Sequence, residues 1–189
     1  MKTTEEQLIY IESMISHAKG EIGESSIFFL LWGYLAVSAA VIQYILLQFT
    51  SFAEPTLVWP VFMGIGGILS LVISKRKKAK EGSRTYIARF IGFLWLGVIS
   101  TLLLAIVIMG IQGWNGLYPI IILLYGLGTF VSGGILKFLP LKIGGICCWI
   151  IAVVAVWCDF PTQTLLIALA LLLSYIIPGH ILSAKKKDV

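Results

Sequence analysis

Charge is scarce in this chain. Only 12% of its 189 residues are Asp, Glu, Lys or Arg, and none falls in the six apolar stretches at 27–49, 56–73, 90–111, 117–136, 143–158 and 164–182. Proton relays, coupling-ion sites and metal centres within a membrane need ionisable groups in the spans, although each costs about 3 kcal/mol to place there. Their absence argues against an ion-coupled carrier and against an intramembrane enzyme. Histidine is almost missing too. His180 alone lies in a stretch, with no second His, Cys or carboxylate beside it, so no metal is expected. His17 falls on the polar face of an N-terminal helix. The three cysteines, Cys147, Cys148 and Cys158, share one stretch without ligand spacing. Neighbours in a helix point about 100° apart and do not bridge, so all are read as small apolar side chains. Ser38, Ser70, Ser100, Ser132 and Ser174 have no accompanying base. Hydroxyls of this kind bond back to the preceding turn. The glycines at 64, 66 and 67 lack the Lys-Ser/Thr ending of a phosphate loop. No catalytic residue, cofactor or enzyme activity is expected.

What the chain has in quantity is apolar surface. It is 59% hydrophobic, with a mean hydropathy of +0.98. That is more than one small soluble core can bury, and it places the chain in a bilayer. Helices of these lengths, rising about 1.5 Å per residue, cross a core of about 30 Å with modest tilt. The expected fold is an all-α integral membrane bundle of six transmembrane helices. Residues 1–24 form a cytoplasmic amphipathic helix, 25–183 the six-span domain and 184–189 a basic tail. No cleaved leader is expected, because Glu5, Glu6, Glu12, Glu21 and Glu24 outnumber Lys2 and Lys19 near the N-terminus.

The sharpest polar break is the cationic loop carrying Lys75, Arg76, Lys77, Lys78, Lys80 and Arg84. Such a run is held on the cytoplasmic side and contacts anionic lipid. Six crossings then put both termini inside, and all fourteen Lys and Arg lie there. The outer loops at 50–55, 112–116 and 159–163 carry only Glu54 and Asp159. The basic pI of about 9.2 is explained by these membrane-flanking charges, so nucleic acid is not an expected partner.

Near the N-terminus, Thr3 or Thr4 opens a capping box, and Leu8, Ile11, Ile15, Ala18 and Ile22 follow at spacings of three and four. This is one apolar stripe on an acidic helix. It packs on the protein's own cytoplasmic face, on a cytoplasmic partner or on another copy of itself. Gly20 and Gly23 are expected to hinge the helix before the first span, which Ser25 or Ser26 would cap.

The spans also suggest three parallel hairpin repeats. Trp32, Trp95 and Trp149 mark the outgoing helices. Trp59-Pro60, Trp114 with Pro119, and Trp157 with Pro161 mark the outer corners, and Gly66-Gly67, Gly133-Gly134 and Gly179-His180 open matching Ile-Leu endings. Small residues at intervals of four, such as Gly97, Thr101 and Ala105, allow close helix packing. A neutral polar set comprising Tyr34, Ser38, Gln43, Thr101, Tyr125, Thr129 and Tyr175 either lines a cavity for a lipid or neutral hydrophobic solute or bonds between helices.

The segments Met14-Ile15-Ser16-His17-Ala18-Lys19-Gly20 and Phe28-Phe29-Leu30-Leu31-Trp32-Gly33-Tyr34 resemble a family of small, functionally uncharacterised six-span proteins of the bacterial inner membrane. In these an amphipathic helix leads into a first span with a Leu-Leu-Trp-Gly-aromatic signature. The resemblance covers about thirty residues. It implies location in the inner (cytoplasmic) membrane and, since such proteins are often encoded beside a winged-helix regulator, a regulatory or envelope-stress setting. The expected role is a non-enzymatic regulatory, sensing or partner-docking membrane component. The alternative is a small transporter or flippase for a lipid or neutral hydrophobic solute.

Overall fold

A computed structural model describes the backbone of residues 4–81, 86–114 and 116–188, and the side chains of 26–76, 87–114 and 116–184. Among the described residues every regular element is helical. Helix α1 is Thr4–Phe49, α2 is Val58–Glu81 behind a 3-10 turn at Pro55–Leu57, α3 is Tyr86–Gln112, α4 is Leu117–Ile135 and α5 is Leu139–Ala155. Helices α6 (Phe160–Leu171) and α7 (Ile177–Asp188) are joined by a π-helical turn, Leu172–Ile176. Five segments are long and apolar enough to cross a membrane: Ser26–Phe49, Pro55–Arg76, Ile87–Gln112, Leu117–Ile135 and Phe160–Ala184. Helix α5 is also apolar but has only 17 residues, or about 25 Å of rise.

Several boundaries differ from the sequence expectation. No hinge forms at Gly20 or Gly23, because α1 is a single helix of 46 residues. Their flexibility costs about 1 kcal/mol each in a helix, which the helix-forming residues around them outweigh. The cationic loop is mostly helix, since α2 runs on to Glu81. Lys, Arg, Ala and Glu are good helix formers, and nothing in that run stops the helix before Gly82. Helix α5 begins at Leu139 and ends at Ala155 rather than covering 143–158, and α6 begins at Phe160 rather than 164. In both, a proline falls in the first helical turn, where its missing N–H costs nothing. The same chemistry explains the π turn. Pro178 cannot donate to the Ser174 carbonyl, and Ile177 N–H reaches back five residues to Leu172 instead.

Helix α5 buries mostly small residues and turns large ones outward. On α5, Gly144, Gly145, Cys148, Ala152 and Ala155 are buried, while Leu139, Ile143, Ile146, Ile150 and Val153 face outward. This arrangement suits hydrocarbon surroundings, where close backbone approach rather than water exclusion holds helices together. Helices α4 and α5 form the tightest pair, with Gly145 against the Phe130 backbone and Gly133 against Leu141. Helix α1 lies along α6, the π turn and α7 on one side and along α2 on another, and α3 lies along α4. Tryptophans seat in glycine notches: Trp32 on Gly66, Trp95 on Gly128 and Trp149 on Gly126. One end of the bundle carries Lys75, Arg76, Arg89, Lys137 and Lys142, and the opposite end carries Glu54 and Asp159. These are the basic and acidic ends below.

Candidate functional site

The seven residues of the neutral polar set separate into three places. At the acidic end Gln43 is fully buried, and its Oε1 accepts two hydrogen bonds, from Trp59 Nε1 at 2.7 Å and from the Tyr118 hydroxyl at 2.6 Å. Both lone pairs of the carbonyl are thereby used, and the node ties α1, α2 and α4 together. Gln43 Nε2 has no partner among the described residues. Phe160 stacks on Tyr118, with centroids 5.0 Å apart and 19° between planes, and so joins α6 to the same node.

Tyr125, Thr129 and Tyr175 come together nearer the middle of the bundle. Tyr175, on the π turn, meets Phe29 of α1, Trp95 of α3 and Tyr125 of α4 edge to face, at centroid distances of 5.4, 5.8 and 5.7 Å. The geometry is the one that ring quadrupoles favour. Thr129 bonds back to the Tyr125 carbonyl at 2.7 Å. The Tyr175 hydroxyl and the neighbouring Ser174 Oγ are buried without a partner among the described residues. These rings pack against one another between the helices.

Tyr34, Ser38 and Thr101 lie on the exterior. The Thr101 hydroxyl bonds back to the Gly97 carbonyl at 2.9 Å. Tyr34 is half exposed, and its hydroxyl shares a 2.7 Å hydrogen bond with His180 Nε2. That pairing crosses 146 positions of sequence. No local pattern announces it, although two amphipathic side chains isolated in apolar stretches were the available signal. The Gln43 node was half legible: Gln43 stood out, but Trp59 read as the mark of an outer corner and Tyr118 was not singled out.

A surface pocket of about 440 Å³ opens at the acidic end. Trp114 and Gly116 form one wall, and Asp159, Phe160 and Gln163, from the start of α6, form the other. Gln163 Nε2 donates to the carbonyls of Ala155 and Cys158, both at 3.0 Å, which closes the α5 terminus and fixes the side chain. The Asp159 carboxylate accepts from Thr162 Oγ1 at 2.5 Å and forms no ion pair among the described residues. Val156 also lines a second hollow of about 190 Å³ against Pro119, Leu123 and Ala152. Sequence reasoning missed the pocket, because its walls come from two loops 45 residues apart that read as ordinary corners.

The other expected sites fall partly outside what is described. Leu8, Ile11, Ile15, Ala18 and Ile22 are in the backbone of α1, but their side chains lie outside the described residues. The same holds for Lys77, Lys78 and Lys80 in α2, and Arg84 lies wholly outside them. Lys75 and Arg76 are exposed at the basic end. No family model, no curated protein and no solved structure matches this chain.

Proposed function

We propose that the chain is a six-span protein of the bacterial inner membrane with both termini in the cytoplasm. In this reading it acts without catalysis, as a regulatory component that docks a cytoplasmic partner through the N-terminal part of α1. The observation that carries the reading is the continuity of that helix. Phe29, Ala36 and Gln43 recur every seven residues on its buried side, at 4%, 2% and 0% exposure. The interval continues back through Ile22, Ile15 and Leu8. Seven residues fall about 20° short of two full turns, so positions at that interval form a seam that drifts by only about 100° around the helix over the five intervals from 8 to 43. Residues 4–25 extend that seam by about 33 Å, a length typical of helix-to-helix recognition. A partner seated on Leu8, Ile11, Ile15, Ala18 and Ile22 would hold the same rod that carries Gln43.

Membrane threading rests on charge, with all fourteen Lys and Arg on one side and α5 counted as the sixth crossing. For the repeat, Trp32 and Trp95 each seat on a glycine of their own hairpin, whereas Trp149 turns to α4. Transport of a lipid or neutral solute draws less support, because Tyr34, Ser38 and Thr101 lie on the exterior and the central rings pack against one another.

Native mass spectrometry of protein released gently from its own membrane tests the docking reading. A cytoplasmic protein of constant mass should accompany the full chain and disappear with Ile11→Asp plus Ile15→Asp, while thermal stability of the membrane core is unchanged. A bare protomer from wild type would overturn docking, and solute uptake by reconstituted vesicles would favour transport.

A further inference from the structure

We infer that the pocket at the acidic end binds an amphiphile bearing an ammonium group, independently of any docking at the basic end. The pocket, at about 440 Å³, falls within the roughly 300–1,000 Å³ of small-ligand sites. Among the described residues its polar side chains are acceptors. Asp159 brings a carboxylate with no cationic partner among the described residues. Gln163 has committed its Nε2 to two carbonyls, so the amide oxygen is what it has left to offer a ligand. An acceptor-rich wall selects donors and positive charge, and no Lys or Arg occurs in the loops at this end to fill that role.

The remaining walls agree. Trp114 is 58% exposed and lines the same pocket as Asp159, and an indole and a carboxylate in one pocket are a favourable setting for a quaternary or primary ammonium. Phe160 stacks on Tyr118, so its ring is positioned in the wall by a contact that needs no ligand. The adjoining hollow of about 190 Å³ is lined by Pro119, Ile120, Leu123 and Val153, which suits a hydrocarbon chain. A charged head in one compartment and a chain in the next describes an amphiphile. The ammonium group could come from an ethanolamine phospholipid of the surrounding bilayer or from a free organic cation.

The test uses the full chain in nanodiscs of phosphatidylglycerol, which carries no amine. Binding of choline is followed by ligand-observed NMR of its methyl signal, with 3,3-dimethylbutanol as the uncharged isostere. Saturable choline binding is expected, with no binding of the isostere and at least tenfold weaker binding in Asp159→Asn. Asparagine keeps the acceptor for Thr162 and is an equally good helix cap, so that variant should fold, and a melting curve checks it. Trp114→Leu, at an exposed position, should weaken binding several-fold. Adding phosphatidylethanolamine to the discs then separates the sources: displacement of choline assigns the site to the lipid headgroup, and undiminished binding assigns it to a free cation. Absence of saturable binding, equal binding of the isostere, or binding unchanged in Asp159→Asn would overturn the proposal.

Discussion

The fold turns on single atoms at its glycines. A Cβ at Gly145 would stand 2.7–2.8 Å from Phe130 Cβ, the Phe130 nitrogen and the Gly126 carbonyl oxygen. Two of those atoms are backbone and cannot step aside by changing rotamer. Gly145→Ala should therefore cost about 1–3 kcal/mol, as overpacking does in close-packed interiors. At Gly97 nothing lies within 4 Å, and Gly97→Ala should be neutral or gain up to about 1 kcal/mol from helix propensity. Denaturant titration of the two variants in micelles measures the contrast, and equal effects would contradict the packing described. Gln43 gives a second test. Replacement by Leu leaves the Trp59 N–H and the Tyr118 O–H without their acceptor, and interhelical hydrogen bonds in membranes are worth about 0.6 kcal/mol on average, up to about 1.7. A loss of about 1–3 kcal/mol is expected for Gln43→Leu and a smaller one for Tyr118→Phe. A double-mutant cycle between them should return a coupling of at least about 0.5 kcal/mol. The importance of Gln43 was visible in the sequence, since an amide in a lipid-soluble stretch needs a partner. The identity of its partners was not, because they belong to helices brought alongside only by folding.

The informative element is α1. Its span was readable from apolar length, and periodicity suggests a stripe ahead of it, but their union in one helix was not legible. Gly20 and Gly23 look like a hinge to any local rule, whereas helix formation is cooperative and the residues around them favour continuation. If the stripe works because it shares a phase with the buried seam, an insertion after Glu24 should act through its length. Seven added alanines turn the stripe by about 20° and should leave partner retention intact, while five turn it by about 140° and should abolish it. The partner mass recovered with each variant decides the matter. Equal recovery from both insertions would mean that the stripe binds as an independent flexible arm. The element least legible beforehand was the α6–α7 rod. The stretch 164–182 read as one plain span, and only the backbone shows that a π turn ahead of Pro178 interrupts it and places Tyr175 among Phe29, Trp95 and Tyr125.

For the whole molecule, the sequence is most explicit about polarity along the bundle axis. The side-chain charges sort into a basic end with Lys75, Arg76, Arg89, Lys137 and Lys142 and an acidic end with Glu54 and Asp159. Insertion machinery reads the positive residues, so the basic end should face the cytoplasm. The short α5 is where the count could change. Its 17 residues rise about 25 Å against a core of about 30 Å, but it is held between α4 and α6 and turns a continuous apolar face outward. If it crosses, positions 54 and 162 share one side of the membrane. If it does not, they lie on opposite sides. Single cysteines at 54, 74, 162 and 183, introduced into a chain with Cys147, Cys148 and Cys158 replaced by Ser, separate the two in intact cells. A membrane-impermeant maleimide should label 54 and 162 but reach 74 and 183 only after permeabilisation. Labelling of 54 without 162 would reduce the count to five crossings and put α6 and α7 in the reverse direction. The last span runs antiparallel to α1, since Gly33 meets Tyr175 and Ile176 while the earlier Leu30 meets the later Gly179, and that course favours six.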